Sequence, residues 1–271
     1  MSREHGPRHP LAYKNEKFLA TSEARSVRIL SEYTYPLSQF RREKIHDTIV
    51  FFGSARIDGE SKLPDGAPHP LARYYDEARE LAKQVTEWSD GLANTTRRFV
   101  VTTGGGPGIM EAANRGAADA GGKTMGLNIA LPFEQYPNPY LTPELSFEFN
   151  YFFMRKFWFA YMAKALVVFP GGFGTFDEMF ELLTLAQTRK LEKQLIIILY
   201  GSSFWKEVIN FEALSRYGLI SPADLELFHF ADDTTTAFDL LRDGLTKVCL
   251  EPEKDLPDEQ RLTPSIARSR T

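Results

Sequence analysis

Cysteine is almost missing from this chain of 271 residues: Cys249 stands alone. It has no partner for an internal disulfide and none of the spaced Cys and His residues of a zinc site. A reducing compartment is the simplest setting for such a sequence. A basic surplus is also missing, because 32 Lys and Arg face 36 Asp and Glu, a net charge of −4. A scaffold that grips duplex DNA by neutralising phosphates needs the opposite balance, so no nucleic-acid polymer is expected as a partner. A locally basic pocket for one small anion remains compatible with it. Long apolar runs are lacking as well. The most apolar stretch, 152–169, is interrupted by Arg155, Lys156 and Lys164, and fails as a membrane span. The opening MSREHGPRHP has no apolar segment of a secretory signal. A soluble cytoplasmic protein is expected, with no membrane partner. HExxH, GxSxG and EF-hand patterns are absent, and the histidines at 5, 9, 46, 69 and 229 form no close cluster.

What is present is an ordinary globular balance, 43% hydrophobic and 25% charged. No internal repeat stands out. Residues 1–12 read as a disordered start, and 15–44 carry a helical pattern with many charges; together 1–45 form an N-terminal helical extension. Residues 46–250 then alternate apolar strands with helices. Strands are expected at 48–52, 99–103, 124–131, 165–169 and 195–200, with an outer strand at 146–150. Helices are expected at 71–88, 107–120, 152–164 and 175–190. The charged, proline-containing residues 251–271 read as a flexible tail. Such alternation predicts an α/β protein: a Rossmann-like parallel sheet with helices on both faces. Ligands of such sheets bind outside the carboxyl ends of the strands.

Three of those ends carry glycine-rich turns: Gly53-Ser54-Ala-Arg, Thr103-Gly104-Gly105-Gly106-Pro107-Gly108 and Pro170-Gly171-Gly172-Phe173-Gly174-Thr175. A glycine turn at a helix start offers unpaired N–H groups and the positive end of the helix dipole, which suits an anion. Pro107 is expected at the first position of its helix with Gly106 as cap. Tight turn-making is the plainer explanation of any one loop. Neither a GxGxxG fingerprint nor a Walker A loop can be completed: Ile109 and Asp177 occupy third-glycine positions, and Ala117 stands where the first Walker glycine would be.

Two charged positions accompany these loops. Arg155-Lys156 follows Met154 at the start of an apolar helix, and Glu178 follows the third loop. Each has a structural explanation: Thr175 to Glu178 fits a capping box, and Arg155 could be a snorkelling cation.

The segments GGGPGIMEAANRGA (104–117) and PGGFGTFDE (170–178), with MRK (154–156) between them, resemble the LOG, or Lonely Guy, family of phosphoribohydrolases. The hallmark PGGxGTxxE is matched in full, GSAR resembles the family's first-strand turn, and the likeness spans roughly residues 46–250. The resemblance implies hydrolysis of the N-glycosidic bond of a nucleoside 5′-monophosphate, AMP or an N6-modified AMP, to free base and ribose 5-phosphate. It also implies that Arg155 and Glu178 are the catalytic pair, and that the chain forms a homodimer or larger even-numbered assembly. Gly53, Ser54, Gly104, Gly105, Gly106, Gly108, Met154, Lys156, Gly171, Gly172, Gly174 and Thr175 are the expected substrate- and phosphate-binding positions. Similar sequences are also labelled lysine decarboxylases, but nothing in these motifs supports a pyridoxal site. At the position two before the arginine this chain has Phe153, where the plant-type pattern has His. That departure bears on a cytokinin-type substrate and not on the chemistry.

The chemistry fits the residue types. Ribosyl cleavage builds positive charge at the sugar, which a nearby carboxylate stabilises. A glutamate in the first turn of a helix is expected to be held ionised by the dipole. Arginine can hold phosphate or offset charge on the departing base, but it cannot donate a proton. No metal or cofactor is demanded. The alternative is a nucleotide-binding or cofactor-carrier protein on the same fold, for which the carboxylate is unnecessary. The helix at 152–164 carries more apolar surface than a sheet-covering helix requires, so it needs cover from elsewhere in the chain or from a second subunit, and a dimer or larger even-numbered assembly is expected.

Overall fold

The computed structural model describes residues 9–92, 96–132, 136–190 and 194–250. The expected disorder of residues 1–8 and the expected tail at 251–271 lie outside the described residues. The N-terminal segment forms α1 (Glu16–Leu19) and α2 (Arg25–Arg42). There follow β1 (Thr48–Phe52), α3 (Arg73–Asp90), β2 (Val100–Thr103), α4 (Ile109–Asp119), β3 (Thr124–Ile129) and β4 (Ser146–Phe149). The second half comprises α5 (Phe152–Met162), β5 (Ala163–Val168), α6 (Phe173–Gln187), β6 (Ile196–Tyr200), α7 (Ser202–Val208), α8 (Phe211–Arg216), β7 (His229–Ala231) and α9 (Thr234–Leu245).

The seven strands form one parallel sheet in the order β4-β3-β2-β1-β5-β6-β7. The Rossmann-like α/β architecture read from the sequence is therefore the one observed. β1, TIVFF, is buried throughout, as a central strand covered on both sides must be. Its side chains alternate between two cores: Val50 and Phe52 join Trp158, Leu182 and Trp205 on one face, while Ile49 and Phe51 join Leu81, Ala113 and Leu241 on the other. The order in which strands are added reverses across the sheet between β1 and β5. After β1 the chain builds outward through β2, β3 and β4, then returns to place β5 on the other side of β1. A crevice opens at the carboxyl ends of two strands that diverge in this way.

Three local expectations are corrected. Pro107 is not the first residue of α4; Gly108, at φ 70°, is its cap. A Cβ at Gly108 would stand 2.3 Å from the Ser54 carbonyl oxygen, so the first and second loops can touch only through glycine. α5 ends at Met162, and Lys164 lies within β5. The excess apolar face of α5 is covered by α2 of the same chain: Tyr33 stacks on Trp158, and Phe40 meets Trp158 edge-on.

Candidate functional site

The crevice at β1 and β5 is closed by backbone. Ser54 N–H donates to the Pro170 carbonyl at 3.0 Å, and Ile109 N–H donates to the Ser54 carbonyl at 3.0 Å. The three glycine loops thus meet along one edge. Gly53 has Ile109 packed where a Cβ would be, with the nearest atom at 2.6 Å. Gly171 faces Thr175 in the same way, Oγ1 lying 2.2 Å from a Cβ built there.

Arg155 and Glu178 come together above this edge. Arg155 Nη2 lies 3.1 Å from Glu178 Oε1, and the side chains are 11% and 12% exposed. Arg155 Nε donates to the Leu127 carbonyl within β3 at 2.8 Å, and its guanidinium lies over the Phe159 ring. A Cβ at Gly104 would stand 2.5 Å from Arg155 Nη2. The first glycine of the second loop therefore makes room for the guanidinium.

Glu178 is not in a capping box. The cap of α6 is Gly172, with no side-chain hydrogen bond to the helix, and Thr175 is already within the first turn and buried. Glu178 consequently lies in the second turn, beyond the strongest reach of the dipole. Burial pushes its carboxyl up to about 7, against the opposing pull of Arg155. The expectation of a glutamate held ionised by the helix start is corrected: Glu178 lies beyond the first turn, and burial favours its protonated form.

The start of α6 itself is open. Phe173 is 95% exposed, Gly172 and Gly174 are exposed, and a Cβ at either glycine would meet nothing within 4 Å. The first amides of a helix have no partner within it, so an anion can approach here without displacing a side-chain cap. The second loop is more committed. Gly105 N–H donates to Thr103 Oγ1, and Asn138 Nδ2 donates to the carbonyls of Gly105 and Gly106. Because a trans peptide points its N–H opposite its carbonyl, this turns the Gly106 N–H away from Asn138. Pro107 has no N–H to offer.

The remaining expected positions divide. Met154 is buried in the core formed by α2 and α5. Lys156 is bound on the outer face of α6, with Nζ 2.7 Å from Asp177 and 3.0 Å from Glu181. A cavity of about 570 Å³ adjoins that face, lined by Lys156, Phe173, Phe176, Asp177 and Phe180 among others. Among the described residues, no group of three or more His, Cys, Asp or Glu side chains gathers as a metal site would.

Asn114 and Asn138 were not anticipated. Asn138 Nδ2 reaches Asn114 Oδ1 at 2.9 Å, Thr103 Oγ1 donates to the same oxygen at 2.7 Å, and Asn114 Nδ2 donates to Thr124 Oγ1. This buried network fixes the second loop from behind. Asn114 lies inside the quoted 104–117 segment and was readable as a polar residue on an apolar helix face. Asn138, in a proline-broken loop, gave no signal.

No curated protein matches the chain. Among solved structures it is similar to a molybdenum cofactor carrier protein from Chlamydomonas reinhardtii, at 22% identity and a TM-score of 0.48, covering 74% of this chain and 99% of that one. It is also similar to a molybdenum cofactor binding protein from the phototrophic bacterium Rippkaea orientalis, at 17% identity and a TM-score of 0.46, covering 73% and 96%. A family model described as "Possible lysine decarboxylase" matches residues 110–241, a span that contains both Arg155 and the PGGFGTFDE hallmark. That match covers just under half of the chain and takes in much of the stretch over which the glycine motifs resemble the LOG family.

Proposed function

We propose that the chain hydrolyses the N-glycosidic bond of a nucleoside 5′-monophosphate, with AMP or an N6-modified AMP as substrate. The observation that carries this reading is the Arg155–Glu178 pair, 3.1 Å apart at the sheet's switch point and beside the uncapped start of α6. The 5′-phosphate sits on the first amides of α6, where fixed N–H dipoles and an open approach favour an anion. This anchors the sugar so that C1′ faces Glu178. As the bond to the base lengthens, positive charge grows on the ribose, and the ionised carboxylate stabilises it. Water adds across the broken bond, its hydroxyl to C1′ and its proton to the base. Glu178, with its carboxyl near 7, is suited to take that proton from the attacking water and pass it on to the departing base. Arg155 holds the carboxylate in place and supplies a permanent positive charge near the leaving base; it transfers no proton.

A nucleotide-binding or carrier protein on the same fold is the alternative. It would use the open start of α6 equally well but has no use for a buried carboxylate with a raised pKa. Incubation with AMP, followed by chromatography for free adenine and ribose 5-phosphate, separates the two. Stoichiometric binding without release of adenine would favour the carrier and sink the hydrolase.

A further inference from the structure

The N-terminal segment lies outside the residues matched by the family model, yet it makes four polar contacts to the start and body of the helix that carries Arg155. Tyr151 caps α5 without a side-chain hydrogen bond of its own. The cap is delivered from α2 instead. Glu32 Oε1 accepts from Asn150 N–H at 2.8 Å, and Oε2 accepts from Tyr151 N–H at 3.3 Å. The carbonyl of the same residue accepts from Trp158 Nε1 at 2.9 Å, one turn beyond Arg155. One turn earlier on α2, Arg28 Nε donates to the Tyr151 hydroxyl at 3.2 Å.

A carboxylate at a helix start satisfies orphan donors and opposes the positive end of the dipole. Here it comes from a separate element and straddles the turn in which Arg155 sits, since Arg155 N–H closes that turn on the Tyr151 carbonyl at 3.2 Å. We infer that Glu32 is a positioning residue for the Arg155–Glu178 pair, holding the first turn of α5 so that the guanidinium reaches Glu178. This inference rests on the site reading above for its consequence in catalysis, but its structural half can be measured separately.

Glu32→Ala, Glu32→Gln and the exposed neighbour control Ser31→Ala are compared in the full chain. Hydrogen exchange followed by mass spectrometry reads the segment 150–156 against β5 as internal reference. Loss of one helix cap predicts exchange about tenfold faster in 150–156 for Glu32→Ala, with β5 and the Ser31→Ala protein unchanged. Adenine release from AMP should show kcat lower by about tenfold with KM within about twofold, because the turn is loosened while the phosphate site stays intact. Glu32→Gln keeps an acceptor oxygen and should recover most of both losses. Unchanged exchange at 150–156 overturns the inference, as does faster exchange with undiminished kcat. If the unsubstituted protein releases no adenine, the hydrolase reading fails, and the exchange result alone decides whether Glu32 holds the turn.

Discussion

Arg155 and Glu178 are ion-paired at 3.1 Å across two helices, and both side chains are nearly out of solvent. A carboxylate in such a place is costly to ionise and costly to leave without its partner. Glu178→Gln keeps the shape and removes the charge. The expected outcome is folded protein that binds AMP and turns it over slower by about two to three orders of magnitude, the loss typical of a transition-state electrostatic contact. Activity within a few-fold of the unsubstituted protein would return Glu178 to a structural role.

The acidity of Glu178 sets the direction of the pH response. Its carboxyl is raised to about 7, chiefly by burial and against Arg155. It loses its proton as pH rises through that value, and the ionised form is the one proposed to work. The ratio kcat/KM should therefore climb with an inflection near pH 7. The same shift has a stability sign. A carboxyl raised above its unfolded value costs folding free energy that is absent below the unfolded pKa of 4.5. The cost accumulates as pH rises toward 7. Arg155→Met removes the opposing positive charge and should move the kinetic inflection, or the carboxyl titration seen by NMR, to higher pH. A fixed inflection would mean that another group controls the profile.

Two glycines of one loop should behave differently when changed to alanine. At Gly104 the new methyl meets the end of Arg155 and the Met110 sulfur at 2.8 Å, both far ends of flexible side chains. At Gly108 it meets the Ser54 backbone at a positive φ. Gly104→Ala should fold with little loss of stability but lose most turnover through a displaced guanidinium. Gly108→Ala should be destabilised by about 1–3 kcal/mol, the range for backbone strain at a special φ. Paired thermal melts and adenine-release assays check both. Equal melting temperatures for the two variants would contradict the contact argument.

The fold was largely legible because its signals are local. TIVFF ending in Gly-Ser announces a buried strand and a turn, and three such endings place a ligand edge. Residues whose partners lie far away in sequence were not legible. The capping-box pattern at 175–178 is a correct local rule that loses to a tertiary one, because α6 starts at Phe173 and the Glu178 carboxylate is drawn to Arg155. Gly108 took the cap expected of Gly106 because only a residue without a Cβ fits against Ser54. Glu32 looked like one of many charges on an exposed helix, and nothing in its neighbours reveals a cap 118 residues away.

The open start of α6 makes its own test. Gly172 has room for a side chain and φ −98°, a conformation that aspartate accepts at a helix cap. Gly172→Asp should cap α6 internally, raising stability by roughly a few tenths of a kcal/mol. The new carboxylate would occupy the amides proposed for the 5′-phosphate. AMP affinity should fall steeply toward that of adenosine, by calorimetric titration, while the melting temperature holds or rises. Undiminished AMP binding would place the phosphate elsewhere.

Assembly is the last expectation, and its basis has moved. The face of α5 that suggested a second subunit is covered by α2, with Tyr33 and Phe40 on Trp158. Other aromatic side chains remain exposed on α5 and α6: Phe173 at 95%, Phe152 at 53% and Phe153 at 50%, and Phe173 lines the cavity with Lys156, Phe176 and Phe180. Solitary exposed aromatics need no explanation, but several on adjoining helices mark an interaction surface. A two-fold contact there would bury the patch against its own copy, the commonest arrangement for soluble oligomers. It would also place the partner beside the start of α6. Light scattering at micromolar concentration should return twice 30.8 kDa or a larger even multiple. Phe173→Asp should shift the protein toward monomer and lower turnover together. A monomer of full activity would show that α2 alone completes the cover, and that the exposed phenylalanines serve the substrate rather than a second subunit.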